Sequence, residues 1–235
     1  MLSIIIPTLN EEHYLPQVLF EIKKQKFLDY EIIVADAGSD DKTVEIAKRF
    51  GCIIAKGGLP GNGRNAGAKI ASGDTFLFID ADIVFLPDNF FVDALNIFEK
   101  RKLGVASFPV FPKGTLIDKL IYGAYNFFVY LVQPFFAFAT NLILVKKDVF
   151  EKTGGFDENI KIAEDHDFVK RASKIAKFGI IKTKPVLFSD RRFRVDGRIN
   201  TYGKYFLVAL HMLFLGPVKK DIFPYKFGHY KKLKK

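Results

Sequence analysis

Tryptophan is absent from this 235-residue chain, and cysteine occurs once, as Cys52. A single thiol excludes an internal disulfide and fits a reducing compartment. Low-complexity tracts and internal repeats are missing as well. With 49% hydrophobic residues, the chain has enough apolar side chains for a packed core, and its composition is not that of a disordered protein. No secretory leader is expected. The apolar run Leu2 to Ile6 is short, has no basic lead and runs straight into Pro7. The length fits one large domain, or one domain with a modest appendage.

Charge of one sign is scarce at the C-terminal end. From Lys204 to Lys235 there are eight lysines against Asp221 alone, a net of +7 out of the chain's +10. Such a tail invites nucleic acid, anionic lipid or simply water as its partner.

In the first hundred residues, short β-branched runs alternate with amphipathic stretches, the pattern of a mostly parallel α/β sheet flanked by helices. Strands are expected at Leu2–Ile6, Glu31–Ala35, Ile53–Ala55 and Phe76–Ile79, the last fully apolar and hence central. Helices are expected over Glu12–Gln25, with Pro16 in its first turn, and over Thr43–Phe50, capped by Ser39 or Asp40. A third helix follows Pro87, with Phe90, Phe91, Leu95 and Phe98 at core spacing. Val105–Phe111 reads as one further strand, placed at an edge by Pro109.

Leu120 to Val145 holds no charged residue, a length able to span a bilayer. Gln133-Pro134, Asn126 and Asn141 interrupt it. It is better read as a helix over Thr115–Gln133, with Asp118, Tyr122, Asn126 and Gln133 as its polar stripe, followed by a strand into Lys146. Tyr205–Leu215 repeats the design, with only Lys204 and His211 on its polar side. Both stretches carry an apolar face too wide for an ordinary surface helix, so they pack into a core or lie in a membrane interface.

The chemistry gathers where strands end. Asp80-Ala81-Asp82 follows the apolar strand, and alternation would send both carboxylates to one side, toward one cation. Few hard oxygen ligands with positions left open suit magnesium or manganese shared with phosphate. Pro7-Thr8-Leu9-Asn10-Glu11 ends the first strand. Asp36-Ala37-Gly38-Ser39-Asp40-Asp41 ends the second, where Asp36 would accept from a nucleobase N–H and Gly38 permits a tight turn. The glycine-rich Gly61-Asn62-Gly63-Arg64-Asn65-Ala66-Gly67 reads as a loop. Its glycines are spaced wrongly for a dinucleotide fingerprint, and Arg64 is a cation aimed at phosphates or a base.

Taken in order, Ser3 to Glu11, Glu31 to Asp41, Gly63 to Gly67, Asp80-Ala81-Asp82, Gly154-Gly155-Phe156-Asp157-Glu158 and Glu164-Asp165 resemble the motifs of family-two glycosyltransferases, enzymes of the nucleotide-sugar-binding GT-A fold. The resemblance spans Leu2 to roughly Phe168. It implies a nucleotide-sugar-binding half over residues 1–111 and an acceptor and catalytic half of the same domain over 112–198. A basic, aromatic helix and tail over 199–235 would follow. It also implies that Pro7, Thr8 and Glu11 line the nucleotide pocket, that Asp36 contacts the base and that Arg64 sits near the donor. Asp80 and Asp82 would bind ribose, diphosphate and Mg2+ or Mn2+. Gly154 to Glu158 would shape the acceptor side, and Asp165, at the start of a helix running to Phe178, would be the general base of an inverting transfer.

One departure stands out. The loop Ser189-Asp190-Arg191-Arg192-Phe193-Arg194 only approximates the arginine-rich signature of processive members, whose tryptophan this chain lacks. Single-sugar transfer is therefore expected, with Arg191, Arg192 or Arg194 holding the donor diphosphate or an acceptor phosphate. The basic tail beside aromatic-rich helices implies peripheral attachment at the cytoplasmic face of a membrane. There a lipid-linked acceptor such as a polyprenyl phosphate would be met. Two other readings compete. A nucleotidyltransferase would want a glycine-rich loop directly after the first strand, and Pro7 to Glu11 has none. A nucleic-acid- or anionic-lipid-binding module would act through the basic tail, with affinity falling steeply in salt.

Overall fold

The computed structural model describes residues 1–220 and 222. Along the chain run β1 (Leu2–Thr8), α1 (Leu15–Lys23), β2 (Tyr30–Asp36), α2 (Thr43–Arg49), β3 (Ile53–Lys56), α3 (Pro60–Ile70), β4 (Thr75–Ile79) and β5 (Ile83–Phe85). Then come α4 (Phe90–Lys100), β6 (Val105–Ser107), β7 (Val110–Pro112), α5 (Leu116–Val132), β8 (Leu142–Lys146) and α6 (Lys147–Thr153). The described elements end with α7 (Glu164–Ala172), β9 (Phe178–Ile180), β10 (Val186–Phe188), α8 (Arg191–Val195) and α9 (Arg198–Phe214). Of the tail charges, Asp221, Lys226, Lys231, Lys232, Lys234 and Lys235 lie outside the described residues.

A seven-stranded sheet in the order β3-β2-β1-β4-β8-β6-β9 forms the centre. Only β8 runs against its neighbours; the other strands are parallel. The expected mostly parallel α/β sheet is what the chain builds. β4 is interior, and Phe76, Leu77, Phe78 and Ile79 are all buried, as a strand covered on both faces must be. One apolar cluster gathers Ile4, Ile6, Leu77, Ile79, Phe90, Phe91 and Phe98 on one side. The other gathers Ile5, Ile33, Phe76, Phe78, Phe156 and Phe168. A small second sheet, β5-β10-β7, covers one end.

Several elements differ from expectation. Val105–Phe111 is two strands, because Pro109 cannot donate to a ladder and the chain changes sheet there. Of these two, β6 lies inside the large sheet and β7 is at an edge of the small one. The glycine-rich segment is no loop: it forms α3, whose buried face carries Gly61, Gly63, Arg64, Gly67 and Ala68. A Cβ at Gly67 would run into Ile5 Cγ2, so the glycine lets this helix lie close against β1. Neither Ser39 nor Asp40 caps α2. The Ser39 hydroxyl donates to Asp36 at 2.5 Å, and Asp41 Oδ1 accepts from Thr43 N at 2.9 Å instead. The helix at Asp165 stops at Ala172, and Phe178 opens β9. The loop after Phe188 is the short helix α8.

α5 matches its expected span, with Thr115 and Asp118 closing a capping box at its start. Its orientation is the surprise. Asp118, on the polar stripe, is 0% exposed, whereas Leu120 is 64% and Phe127 65% exposed. The stripe faces the protein: Asn126 Nδ2 donates to Val110 O at 3.0 Å, and Gln133 Oε1 accepts from Ile180 N at 2.8 Å. α9 also turns apolar side chains outward, with Ile199, Phe206, Leu207 and Phe214 exposed. Asp118 joins the two helices, accepting from Arg198 Nε at 3.0 Å and from Tyr202 OH at 3.0 Å. Among the described residues, no helix is long and apolar enough to cross a membrane.

Candidate active site

The C-terminal ends of β1 and β4 and the first turns of α7 and α8 border one cleft of about 1430 Å³. Pro7, Thr8, Glu11, Arg64, Asp80, Asp82, Asp165, Arg191 and Arg192 all line it. These residues come from five stretches of sequence that only the fold brings together.

Asp80 and Asp82 meet there by a different route from strand alternation. β4 ends at Ile79, and the chain turns at once, with Ile83 N donating to Asp80 O at 3.3 Å. Asp82 is then tied to the small sheet's exit through Ser189 N, which donates to its carbonyl at 2.8 Å.

Two buried arginines organise the acids. Arg64 donates through Nη2 to Asp80 Oδ1 at 2.8 Å and through Nη1 to Glu164 Oε1, with its guanidinium over the Phe156 ring. It therefore joins the end of β4 to the start of α7, and it faces carboxylates where the sequence promised phosphates or a base. Arg191 forms a two-pronged pair with Glu11, Nη1 to Oε2 at 2.5 Å and Nη2 to Oε1 at 2.6 Å. It lies over the Tyr14 ring and 3.6 Å from Asp82 Oδ2. Fork geometry of this kind fixes the acid's orientation as well as its charge.

Asp80 Oδ2 also accepts from Asn141 Nδ2 at 3.1 Å. Asp82 Oδ1 is different: it is buried and has no hydrogen-bond partner. A carboxylate oxygen left in that state is costly unless a cation or donor meets it. Among the described residues no three His, Cys, Asp or Glu side chains cluster as a ready metal cage. Two aspartates with one unmatched oxygen fit magnesium or manganese that takes its other ligands from phosphate and water.

Burial raises the proton affinity of three of these acids. Burial pushes the Asp80 carboxyl up to about 6, against the pull of Arg64 and with help from Asp82 and Asp165. Burial likewise raises Glu164, although Arg64 opposes it, and raises Glu11, although Arg191 opposes it. Such a site favours cations.

Not every expected residue reaches the cleft. Asp36 stands just behind it. Its oxygens accept from Thr8 Oγ1 at 3.0 Å, Ser39 Oγ at 2.5 Å, Gly38 N at 2.9 Å and Ser39 N at 2.8 Å. Those four bonds hold the turn that presents Ala37 to the cleft. Arg194 does not line the cleft and pairs with Asp190 at 3.0 Å. The Gly154–Glu158 turn also lies outside the lining. Gly154 and Gly155 take φ of +77° and +67°, and Asn65 bonds both Phe156 N and Phe156 O at 2.9 Å, clamping the turn to α3. Asn141 was readable in the sequence only as a polar break before an apolar strand. The tyrosines Tyr122, Tyr125 and Tyr205, which also line the cleft, carried no signal beyond helical spacing.

Residues 3–153 match the family model of Glycosyl transferase family 2. The chain belongs to that family. It is 27% identical over 217 residues to the poly(ribitol-phosphate) beta-N-acetylglucosaminyltransferase TarS of Staphylococcus aureus, covering 81% of this chain and 35% of TarS. It is 31% identical over 188 residues to the uncharacterized glycosyltransferase RT0329 of Rickettsia typhi, covering 71% of this chain and 57% of that protein. The chain thus spans only a third to somewhat over half of these relatives. Among solved structures, TarS 1-349 in complex with UDP superimposes with a TM-score of 0.63 at 21% identity, covering 82% of this chain and 62% of that one. The mannosyltransferase PcManGT from Pyrobaculum calidifontis, in complex with GDP-Man and Mn2+, gives 0.67 at 17% identity, covering 88% and 64%. At those identities the likeness is one of fold, the GT-A architecture of a mostly parallel sheet with helices on its faces.

Proposed function

We propose that this chain transfers a single sugar, with inversion, from a UDP- or GDP-sugar to an acceptor hydroxyl or phosphate. The observation that carries the reading is the partnerless, buried oxygen of Asp82, set in one cleft with Asp80, Asp165 and the end of β1. UDP in the TarS complex and GDP-Man with Mn2+ in the PcManGT complex add support.

Each residue then has a physical task. Pro7, Thr8 and Glu11 floor the nucleotide pocket, and Asp36 serves it through the turn it holds. Asp80 and Asp82 would hold magnesium or manganese, which when bound neutralises charge on the diphosphate. Arg64 keeps Asp80 and Glu164 in register, and Arg191 does the same for Glu11 beside Asp82. Arg192 offers a cation to a phosphate. The acceptor oxygen attacks the anomeric carbon opposite the diphosphate. Its proton passes to Asp165, and the carbon–oxygen bond to the diphosphate breaks with the electron pair leaving on the diphosphate.

The outward apolar faces of α5 and α9 support peripheral contact with a membrane surface, where an acceptor attached to lipid would be met. A nucleotidyltransferase reading is not favoured, since no glycine stands between β1 and α1 where a phosphate loop would run. A nucleic-acid module would rest on the tail alone.

The test is Asp165→Asn, assayed for transfer and for donor binding in parallel. Transfer falls about 10²–10⁴-fold, the usual worth of a general base, while nucleotide binding stays within about twofold. Unchanged turnover removes Asp165 from the mechanism.

A further inference from the structure

The cleft is larger than one nucleotide sugar requires, since pockets for a single small ligand hold roughly 300–1,000 Å³ and this one holds about 1430 Å³. Beyond Asp80 and Asp82 its lining includes the segment from Gln133 to Asn141, Lys170 of α7 with Lys174 and Lys177 after it, and parts of the two inverted helices. Ile121, Tyr122 and Tyr125 of α5 line one part, and Tyr205, Val208 and Ala209 of α9 line another. We infer that this groove binds the hydrocarbon chain of an amphiphilic acceptor whose anionic head carries the accepting oxygen. The inference rests on the glycosyltransferase reading of the same cleft.

Three observations lead there. The first is the junction between groove and carboxylates. Tyr205 feels the charges of Arg192, Asp82 and Asp80, and Tyr122 that of Asp82. Tyr125 feels Asp165. Burial raises all three phenols, so each remains a protonated hydroxyl able to donate to an anion or a sugar oxygen. Arg192 and Lys204 line the same region and supply positive charge for an anionic head.

The second is the wall itself. Ile121, Val208, Ala209 and Met212 offer no hydrogen-bonding side chain. A glycan or polyol chain laid there would leave hydroxyls unpaired against apolar surface, which is unfavourable, whereas a methylene chain meets its own kind. The third is where the groove leads. Both helices that wall it turn Leu120, Phe127, Phe206 and Leu207 to the outside. A tail leaving the groove would meet exposed apolar side chains of these same helices, and the clasp from Asp118 to Arg198 and Tyr202 joins the two helices.

The experiment titrates the full chain, without nucleotide, with phytanyl phosphate below its aggregation concentration. Isoprenyl phosphate, phytanol and inorganic phosphate serve as comparisons, read by calorimetry. Each buried methylene multiplies affinity about fourfold, so phytanyl phosphate binds at least 100-fold more tightly than isoprenyl phosphate. It also outbinds phytanol and inorganic phosphate, which each lack one half of the ligand. Ala209→Trp on α9, and Ile121→Trp on α5, each weaken phytanyl phosphate binding at least 10-fold, while UDP or GDP with manganese binds as before. Equal affinity for short and long chains, or equal binding by both plugged variants and the unsubstituted chain, overturns the groove. Failure of the unsubstituted chain to bind any nucleotide strikes the donor reading instead, and the lipid titration reports separately because it contains none.

Discussion

α4 and α5 are both amphipathic helices that follow a short strand and a turn, and they face in opposite directions. α4 buries Phe90, Phe91, Ala94 and Phe98 against the central sheet. α5 buries Asp118 and Val129 and leaves Leu116, Ile117, Leu120, Phe127 and Leu131 to the outside. The 3.6-residue period locates a face in both cases. Which way that face points is decided by what waits for it. Under α4 lies the apolar side of the sheet. Under α5 lie the Val110 carbonyl, the Ile180 amide and the Arg198 and Tyr202 side chains, which take Asn126, Gln133 and Asp118 as their polar partners.

The comparison is easiest to break by shortening one phenylalanine on each helix. Phe98→Ala on α4 removes a fully buried ring and lowers stability by about 3–5 kcal/mol in a denaturant titration. Phe127→Ser on α5 changes stability by less than about 0.5 kcal/mol, as an exposed substitution does, and reduces retention on anionic vesicles. A large loss from Phe127→Ser would mean that α5 buries its apolar side after all.

A smaller effect sharpens the same contrast. Asp118→Asn weakens the clasp between α5 and α9 by about 1.5–3 kcal/mol, the range for hydrogen bonds to a charged group. Bonds from Thr115, Arg198 and Tyr202 outweigh burial and hold this carboxyl below its ordinary range. Its contribution is therefore present above that range and lost as pH falls through it. The gap between Asp118→Asn and the unsubstituted chain closes on acidification. A gap independent of pH would remove the ionised carboxylate from the clasp.

A last effect concerns the cleft. With its carboxyl raised to about 6, Asp80 binds a proton more readily in the folded chain than in the unfolded one. Stability from this group is present below the ordinary carboxylate range and lost as pH rises through about 6. Thermal melts without metal or nucleotide decline over that interval, and Asp80→Asn flattens the decline. An equal slope in both proteins would mean that Asp80 ionises in the fold as it does in the unfolded chain.

How far the sequence could be read follows from the range of the interactions. β1, β2 and β4 were visible because strand patterning is local, and so was the placing of Asp80 and Asp82 at a strand's end. The amphipathic span of α5 was visible for the same reason, and its direction was not. Arg64 looked like a phosphate ligand because its partner Glu164 is 100 residues away. Arg191 gave no hint of Glu11, 180 residues distant. Glycines at 61, 63 and 67 spelled a loop in isolation. Only their neighbours explain them as helix packing: a Cβ would meet Glu164 and Phe156 at Gly61, Pro7 at Gly63 and Ile5 at Gly67. Asp36 sat at the right strand end, yet its oxygens were already matched to its own turn.

The most direct measurement is calorimetry of UDP and GDP binding, with and without manganese, to the unsubstituted chain and to Asp82→Ala. The account predicts that manganese strengthens binding of one nucleotide at least 10-fold in the unsubstituted chain, and that Asp82→Ala abolishes this gain. Binding that ignores manganese, or a gain that survives loss of Asp82, would contradict it.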